Sequence, residues 1–549
     1  MWRRVRPAIR KVKVIPTKAI CVVARSEVER RIVVVSSSRR VLIVVVETCP
    51  TSSETTFQSV LADLPPAADC VYSNARCDIL APADWLVVLM IANERCFPYV
   101  YTPETGVPWY LRYSAEGQSY WSAARHALAY YLKSRRKKFS APVEELEHFR
   151  NQRELMRGLV ELDGGRSAAL RPNTDRATLA AVGDLMWIRK GWTGFPSNEV
   201  LSYLNSFDVV LGNLESVISP RFKVPSFWRD YLRYNSEPGL VTSFARPTGG
   251  STFSALSITN NHSMDYGEQA LIDTMRFLDG QSIPYSGVRE PHREKPYVTF
   301  EKNGIKFGFY ATSWGLNALL HNAETRLAIN VLKGLAPETD EPVDVTEIKR
   351  ALDGMRAEGV DFRIVGIHWG REYEFYPTPR TMQAAREIVR AGADLILGSH
   401  PHVQQPNEVC FVNGYENRYG EEKGKYTAMN EPGGCILTDG QERQRKALVV
   451  YSLGNFVTAM SSSPCEIGMI QDIEVFRAPG AGAADWRLMR FPNYELVHNH
   501  RDRRTKTHKL VMMRDYLKES RERGVCSGKL IETLRFLDAH LGGLEQADK

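Results

Sequence analysis

Two histidines separated by one residue, His400 and His402, follow the short apolar run 394–398. The run predicts a buried strand that ends at Gly398, and a strand end can aim imidazole rings at a metal ion. Taken alone, a His-x-His sequence is more often a loop with two unrelated imidazoles. The same pattern of a strand followed by a polar loop recurs upstream, however, at Gly183-Asp184, Gly212-Asn213-Leu214-Glu215, Asn260-Asn261-His262 and His368. Five such loops in one chain predict a metal centre.

The candidate ligands combine carboxylates, which supply negative charge, with imidazoles, which supply directional nitrogen donors. They are Asp184, Asn213, Glu215, Asn261, His368, His400 and His402. Two divalent ions about 3.5–4 Å apart could bridge a water, deprotonate it at neutral pH, and clamp the entering and leaving oxygens of a phosphoester. The expected cofactor is therefore a divalent metal, as one or two ions of Mn, Zn or Fe.

Two further residues are candidates for proton transfer. His262 is adjacent to Asn261 and could protonate a leaving group, while Asp265 could orient its ring. Each candidate also has a structural interpretation. Asp265 could cap the helix that follows it, Glu215 could be a turn residue, and His368 alone could be a core histidine.

Four residues are candidates for substrate binding. Arg371, Glu372 and Tyr373 follow His368, and Asn455 follows another predicted strand. Arg371 could pair bidentately with a phosphate or carboxylate, and the alternative is an ordinary surface salt bridge.

Strand-like and helix-like segments alternate from about residue 178, which is typical of an α/β core with ligands at the carboxyl ends of the strands. A helix with Leu271, Met275 and Leu278 on one face is expected to end at Gly280. The predicted strands are 179–182, 208–211, 253–258, 305–310, 362–367, 394–397, 448–451 and 467–476, and a second helix is predicted at 381–391.

The remaining segments divide the chain. Residues 1–75 are interpreted as a basic, weakly ordered N-terminal arm, with strands or a nucleic-acid-binding arm as alternatives. Residues 76–175 are predicted to form an aromatic, α-rich accessory region. Residues 176–500 form the predicted core domain, in which the stretch 411–445 has no clear period and is either a lid or a passive insertion. Residues 501–549 are predicted to be a helical tail.

Net charge and cysteine content bear on the class of binding partner and on the cellular compartment. The net charge is +7, but residues 1–50 hold 12 Lys and Arg against 3 Asp and Glu, so the rest of the chain is near neutral. Nine cysteines are scattered without a Cys-x-x-Cys pair, which indicates a reducing compartment rather than a disulfide framework. Neither a membrane helix nor a secretory signal is readable, so a cytoplasmic location, possibly peripheral to a membrane, is expected.

The motifs together resemble a known family. They are Gly183-Asp184-Leu185-Met186, Gly212-Asn213-Leu214-Glu215, Asn260-Asn261-His262-Ser263-Met264-Asp265-Tyr266-Gly267, His368-Trp369-Gly370-Arg371-Glu372-Tyr373, Gly398-Ser399-His400-Pro401-His402 and Tyr451-Ser452-Leu453-Gly454-Asn455-Phe456. This set, spanning about 178–500, resembles the CapA (PgsA) family of poly-γ-glutamate capsule biosynthesis proteins, which are similar to calcineurin-type metallophosphoesterases.

The resemblance implies a four-layer αββα sandwich of metallophosphoesterase type with a metal site at one end of its sheets. It further implies that Asp184 and His402 ligate a first metal, that Asn261, His368 and His400 ligate a second, and that His262 is the general acid. Met186 stands where the superfamily has a ligating histidine, and Asn213 stands where it has a bridging aspartate, with Glu215 as a possible substitute. These departures imply a weaker first metal site, or a centre that holds one ion rather than two. The CapA-type motif shares both, so they are a trait of the family and not decay of this protein.

The first functional hypothesis is a CapA-type metal-dependent hydrolase or transferase that acts on a phosphorylated or polyanionic γ-glutamyl substrate. In it a metal-activated water attacks and His262 protonates the leaving group. The alternative is a non-catalytic, metal-binding accessory subunit of a capsule polymer synthesis and export complex with membrane-bound partners. A third hypothesis, a nucleic-acid phosphoesterase served by the basic arm, is the least favoured.

Overall fold

The computed structural model describes a defined part of the chain, and every structural statement below refers to it. The described residues are 19–23, 30–37, 40–47, 143–167, 176–186, 195–224, 233–317, 325–335, 342–414, 435–440, 444–460, 464–476, 488–490, 494–502, 504–505, 507–523, 528–538 and 541. The chain divides into two compact units, of which the first comprises 1–102 with 107–132 and the second 103–106 with 133–549.

In the first unit the described residues form one antiparallel sheet of three strands, β1 (Ala19–Val23), β2 (Arg30–Ser37) and β3 (Arg40–Glu47). Strands were one of the alternatives for residues 1–75, and these three are described there. In the accessory region the structure describes α1 (Val143–Ser167). The predicted aromatic segment and the basic run that follows it lie outside the described residues.

The second unit contains a nine-stranded sheet in which four strands run parallel in the order β4-β5-β6-β7. Its strands are β4 (Arg176–Leu185), β5 (Val209–Leu214), β6 (Ala255–Ser257), β7 (Tyr285–Ser286), β17 (Asn455–Val457), β18 (Ile467–Phe476), β19 (Leu488–Arg490), β20 (Tyr494–Asp502) and β21 (Thr507–Met512). Strand β18 pairs antiparallel with β4, and β20 and β21 extend the sheet beyond it.

A seven-stranded sheet forms the other half of the unit, in the order β15-β14-β16-β13-β12-β10-β9. Its strands are β9 (Tyr297–Lys302), β10 (Ile305–Ser313), β12 (Phe362–His368), β13 (Leu395–Ser399), β14 (Gln404–Val412), β15 (Cys435–Leu437) and β16 (Arg445–Leu453). The central strands β10, β12, β13 and β16 are parallel. Two short strands, β8 (Val288–Arg289) and β11 (Ala328–Ile329), pair separately.

The parallel strands are buried along almost their whole length, which explains why their sequences are mainly apolar. Every residue of β12, β13 and β16 is buried, as is each residue of β4 from Leu179 onward. Strands that are covered on both faces need apolar side chains on both faces, so their sequences do not alternate. Strand β4 contacts β13 and β16 of the other sheet, and the core therefore lies between the two sheets.

The helices follow the strands in α/β fashion. They are α2 (Asn198–Asn205), α3 (Gly239–Thr242), α4 (Gly267–Gly280), α5 (Thr346–Ala357), α6 (Pro379–Arg390), α7 (Met513–Glu522) and α8 (Gly528–Leu537). Helix α6 begins where the Thr378 side chain caps the Thr381 amide, and it packs against β13 and β14. Helix α4 buries Leu271, Met275 and Leu278 and ends at Gly280, as predicted.

Two segments differ from the sequence prediction. The stretch 411–445 is not without regular structure, because β14 enters it, β15 lies within it, and β16 begins at its end; residues 415–434 lie outside the described residues. The C-terminal tail is not helical from its start, because β21 joins the nine-stranded sheet before α7 begins. Its residues 507–512 alternate between buried and less buried positions, the period-two pattern of a strand.

The cysteine prediction is corrected for one pair. Cys410 and Cys435 are paired in register on β14 and β15 and are joined by a disulfide. The two cysteines are 25 residues apart in the chain, and this pairing could not be predicted from the sequence. Only the strand register brings the two side chains together. Cys465 is buried and takes no part in this disulfide.

Candidate metal centre

The centre lies where parallel strands of both sheets end. Asp184 near the end of β4 is paired in register with Asn213 near the end of β5, and Glu215 follows β5. In the other sheet, His368 ends β12 and is paired with Ser399 at the end of β13. Because parallel strands present their carboxyl ends at one edge, each sheet brings its own ligand-type residues together.

Direct contacts join the two groups. The Asn213 amide donates a hydrogen bond of 2.8 Å to Asp184 Oδ1, and the same nitrogen lies 3.3 Å from His368 Nδ1 in the other sheet. The backbone N–H of His400 donates to Asp184 Oδ2 at 3.2 Å. The seven predicted ligands are thus brought to one place, and each of them is at least nine-tenths buried.

Two groups of possible ligands share one carboxylate. Asp184, Glu215 and His402 form one group, and Glu215, His368 and His400 form the other; within each, the ligand atoms lie within 4.8 Å of one another. His402 Nδ1 is 3.6 Å from Asp184 Oδ2 and 3.8 Å from Glu215 Oε2. His368 Nε2 is 3.5 Å from Glu215 Oε1. Glu215 is therefore the carboxylate common to both groups.

The environment of Glu215 fits a cation. Its side chain is fully buried, and neither carboxylate oxygen has a hydrogen-bond partner among the described residues. Burial raises the pKa of Glu215 well above its usual range, and the nearby Asp184 carboxylate adds to the effect. An unpaired buried carboxylate beside a second one is costly, and a divalent ion between them would remove that cost. The residues present therefore fit a divalent metal.

His368 is in a state suited to ligation. Burial lowers the pKa of His368 well below its usual range, and His400 and His402 lower it further. A neutral imidazole has a lone pair to offer a metal, whereas an imidazolium has none. His368 Nε2 also lies 2.7 Å from Asn261 Oδ1, so two predicted ligands of the second metal are already in contact.

A hydrogen-bonded pair of residues stands beside the ligand groups. His262 Nδ1 lies 2.7 Å from Asp265 Oδ2, while His262 Nε2 is 3.9 Å from Glu215 Oε1. Asp265 also accepts the backbone N–H of Tyr234 at 2.7 Å, and the Tyr234 ring stacks on His262 at 3.7 Å. Asp265 precedes α4 by two residues, and the cap residue Tyr266 makes no side-chain cap. The geometry thus favours the ring-orienting interpretation of Asp265.

The three predicted substrate-binding residues that follow His368 in the chain differ in their contacts. Glu372 joins His400 and His402 in a third group of possible ligands within 4.8 Å. Tyr373 donates its backbone N–H to Pro401 O at 2.8 Å, and its ring lies 5.8 Å from that of His402. Arg371 is half-buried beside them.

Asn455 is placed to orient a ligand. Its Oδ1 lies 2.9 Å from His402 Nδ1, its Nδ2 donates to Cys465 O at 3.1 Å, and its side chain is fully buried. Since both ends of the amide are engaged within the protein, the structure gives Asn455 a position behind His402 rather than one facing a substrate.

Met186 lies at the edge of the centre in a small apolar cluster with Tyr234. Its sulfur accepts a hydrogen bond from Thr458 Oγ1 at 3.7 Å. A thioether is a poor ligand for a hard divalent ion, so this position supplies packing rather than coordination.

Sequence reasoning missed the segment that follows β10. Trp314 lies with its ring 5.7 Å from that of His400, and the Asn317 amide nitrogen lies 3.3 Å from His262 Nε2. Asn317 also donates its backbone N–H to Asn261 O at 2.7 Å. The available signal was position: 314–317 directly follows β10, a parallel strand next to β12, like the loops that do carry ligands.

The fold and the site define an α/β protein with a candidate metal centre at the strand ends of two sheets. The chain belongs to the family described as bacterial capsule synthesis protein PGA_cap, whose model matches residues 178–460. The resemblance to CapA proteins is thereby confirmed.

Several named relatives agree with this membership. The chain is similar to "Capsule biosynthesis protein CapA" of Bacillus anthracis, 27% identical over 44% of this chain and 60% of that protein. It is 28% identical to "PGA biosynthesis protein CapA" of Bacillus subtilis, over 43% of this chain and 60% of that protein. A "Probable polyglutamine synthesis accessory protein" of Mycobacterium tuberculosis is 27% identical over 39% and 56%. The match thus covers about three-fifths of the relatives' length or less.

Among solved structures, a phosphatase from Mycoplasma pneumoniae aligns with 60% of this chain and 96% of its own, at 10% identity and a TM-score of 0.31. That score is too low to support an argument about the fold. Within the described residues, no helix combines the length and the apolar character needed to cross a membrane.

Proposed function

We propose that the chain is a CapA-type metal-dependent hydrolase or transferase that acts on a phosphorylated or polyanionic γ-glutamyl substrate in the synthesis of a capsular polymer. The observation that carries the proposal is Glu215, a buried carboxylate without a hydrogen-bond partner among the described residues, which belongs to two adjacent groups of possible ligands. Such a residue is expected where one carboxylate bridges two cation positions.

A divalent ion held at this centre would supply Lewis acidity and would favour deprotonation of a water near neutral pH. Asp184, Glu215 and His402 would hold one position, and Glu215, Asn261, His368 and His400 the other. His262 transfers a proton to the leaving group from Nε2, while Asp265 holds Nδ1 at 2.7 Å and so fixes the ring. Arg371 and Glu372 lie in the segment that approaches His400 and His402, where Arg371 would pair with a substrate anion.

We propose the four-layer αββα arrangement of metallophosphoesterases for the second unit. Strand contacts between the sheets support the two inner layers, because β4 touches β13 and β16 and β10 touches β6. Helices α5 and α6 contact the seven-stranded sheet, and α2 and α7 contact the nine-stranded sheet, which supports the outer layers.

The decisive experiment is hydrolysis of p-nitrophenyl phosphate and bis-p-nitrophenyl phosphate by the full chain with and without added Mn²⁺. We expect metal-dependent turnover that falls roughly 10²–10³-fold in His262→Ala. His292→Ala is the matched control, because His292 is an exposed turn residue that belongs to none of the groups of possible ligands. Wild type and His262→Ala that both bind metal but are equally inert would contradict the enzymatic proposal.

That contradicting outcome would favour the second candidate, a non-catalytic metal-binding accessory subunit that works with membrane-bound capsule-synthesis partners. Two observations support this candidate. Met186 supplies packing where a ligand is expected in the wider superfamily, and one relative carries the words "accessory protein" in its name.

A further inference from the structure

A second group of metal-ligand side chains lies on the outer part of the seven-stranded sheet and shares no residue with the candidate centre. Glu408 and Cys410 are two residues apart on β14 and therefore point to the same face. Cys435 on β15 is directly opposite Cys410. The ligand atoms of the three residues lie within 4.8 Å of one another, and all three side chains are buried.

The two sulfurs are bonded to each other in the structure, so this state offers no thiolate to a cation. A dithiol reductant would change that. It delivers two electrons and two protons to the Cys410–Cys435 bond, both cysteines become thiols, and the reductant becomes a disulfide. The two thiols would remain on adjacent strands beside Glu408, and a cation that binds them releases their two protons.

The surroundings of Glu408 suit a bound cation. Arg386 donates to Oε1 at 2.6 Å, the Tyr451 hydroxyl donates to Oε2 at 2.6 Å, and His148 Nε2 lies 2.8 Å from Oε1. Two thiolates and one carboxylate carry three negative charges. A divalent ion together with the Arg386 guanidinium balances them, which a buried cluster requires. The Tyr451 hydroxyl holds the carboxylate in place, as partners of metal ligands generally do.

The chemistry of the donors selects the ion. Thiolate sulfur favours zinc and related borderline or soft ions over Mg²⁺ or Mn²⁺, which prefer oxygen. Two thiolates and a carboxylate leave one tetrahedral position. The imidazole of His148 on α1, whose Nε2 lies 2.8 Å from Glu408 Oε1, is a candidate for it.

We propose that Glu408, Cys410 and Cys435 form a second metal site, which binds a zinc-type divalent cation when the cysteine pair is reduced and is closed when the pair is oxidised. Disulfide and bound metal are then mutually exclusive states of the same two residues. The site does not depend on the proposed function, because none of its residues belongs to the candidate centre.

Cobalt(II) is the probe, because thiolate ligation gives a sulfur-to-cobalt charge-transfer band that oxygen and nitrogen ligands do not give. The full chain is reduced with tris(2-carboxyethyl)phosphine, freed of metal, and titrated with Co²⁺. We expect the band to saturate at about one thiolate-ligated ion per chain, to be displaced by Zn²⁺, and to be absent from the oxidised protein. Co²⁺ in the candidate centre contributes no such band.

Variants assign the band to these residues. Cys410→Ser and Cys435→Ser should each abolish the band, and Cys465→Ser, which removes a buried cysteine outside the pair, should leave it unchanged. Circular dichroism of all three, under the same reducing conditions, shows whether they are folded. A reduced wild type without the band would overturn the proposal. So would a band that survives in both Cys410→Ser and Cys435→Ser, or one of equal strength in the oxidised protein.

Discussion

The Nε2 atom of His368, at the end of a strand in one sheet, lies 2.7 Å from Oδ1 of Asn261, in a loop of the other. In this contact Nε2 carries the proton, because an amide oxygen only accepts. His368 Nδ1 then accepts, and the Ser399 hydroxyl lies 2.9 Å from it. A metal on Nε2 requires the other tautomer, in which Nδ1–H donates to Ser399 Oγ. The hydroxyl can do both, because it is donor and acceptor at once.

The first prediction follows from that hydroxyl. Ser399→Ala should weaken metal binding by roughly 10–100-fold, since partners that orient a ligating histidine typically contribute that much. Ser452→Ala is a control of equal size and burial whose hydroxyl donates to Val403 O. Isothermal titration of each metal-free variant with Mn²⁺ measures its metal affinity. Equal affinities in the two variants would contradict the role of Ser399.

A second prediction concerns the number of ions. Metal analysis of the purified protein should find about two per chain, and His368→Ala should lose at least one. His368 is preferable to His400 or His402 for this test, because those two have φ angles of 99° and 59°, where alanine is strained. If wild type holds one ion and Met186→His holds two, the Asp184 position is the weaker one in the natural protein.

A third prediction concerns the His262 and Asp265 pair. Asp265→Asn should lower the turnover of a metal-dependent phosphoester reaction by roughly 10²-fold or more, because an amide cannot stabilise a protonated imidazole as a carboxylate does. Metal content should not change, since Asp265 belongs to neither ligand group that shares Glu215. Full activity in Asp265→Asn would mean that this carboxylate only fixes the Tyr234 backbone.

A fourth prediction concerns the close packing around Gly398, near the end of the strand that precedes His400. A side chain on Gly398 would place Cβ 2.0 Å from Tyr451 O and 2.7 Å from Trp369 Nε1, so Gly398→Ala must move backbone. We expect the free energy of unfolding to fall by about 3 kcal/mol, measured by urea denaturation. Gly280→Ala is the control, because nothing lies within 4 Å of its Cβ position. A neutral Gly398→Ala would show that the two strands can separate locally.

A fifth prediction concerns pH. Burial raises the pKa of Asp472 to about 7, against the Tyr203 hydroxyl, which donates to it at 2.6 Å. The folded state thus keeps a proton that the unfolded state releases above its ordinary value near 3.8. The contribution of protonated Asp472 to the free energy of unfolding is fully present below the pKa of the unfolded state. It is lost as pH rises toward 7.

Asp472→Asn removes this loss. As pH rises from 4 to 7, the free energy of unfolding of the variant should increase relative to that of the wild type by about 2 kcal/mol, a figure that allows for the partial exposure of Asp472. Above pH 8 the difference between the two proteins should be constant. Urea denaturation at several pH values measures it, with Asp353→Asn on an exposed face of α5 as the control. A difference that does not change with pH would contradict the raised pKa.

The structure brings together ligand-type residues that the sequence singled out, and their role in binding a metal stays a prediction. Asp184, Glu215, Asn261 and the three histidines could be singled out because each follows an apolar run, and parallel strands carry such loops to one edge. Trp314 and Asn317 also follow a strand, but tryptophan and asparagine next to glycine and leucine do not stand out as ligands. Their relation to His400 and His262 exists only after the sheets have closed.

The sequence did not predict the parts of the fold that depend on pairing between distant segments of the chain. The residues of β21 include Thr507, His508 and Lys509, which resemble a polar tail until β20 supplies the backbone partners of a strand. The disulfide between Cys410 and Cys435 depends in the same way on the register of two strands.

The position of β4 has a consequence for how the chain folds. It is the first strand of its sheet to be synthesised, and it pairs on one side with β5 and on the other with β18, where Arg176 is opposite Phe476. Contacts across so many residues are slow to form, because the intervening chain must be ordered before they are made. Asp184 lies on this strand, so the candidate centre should be completed late in folding, and a chain released before β18 should not acquire it.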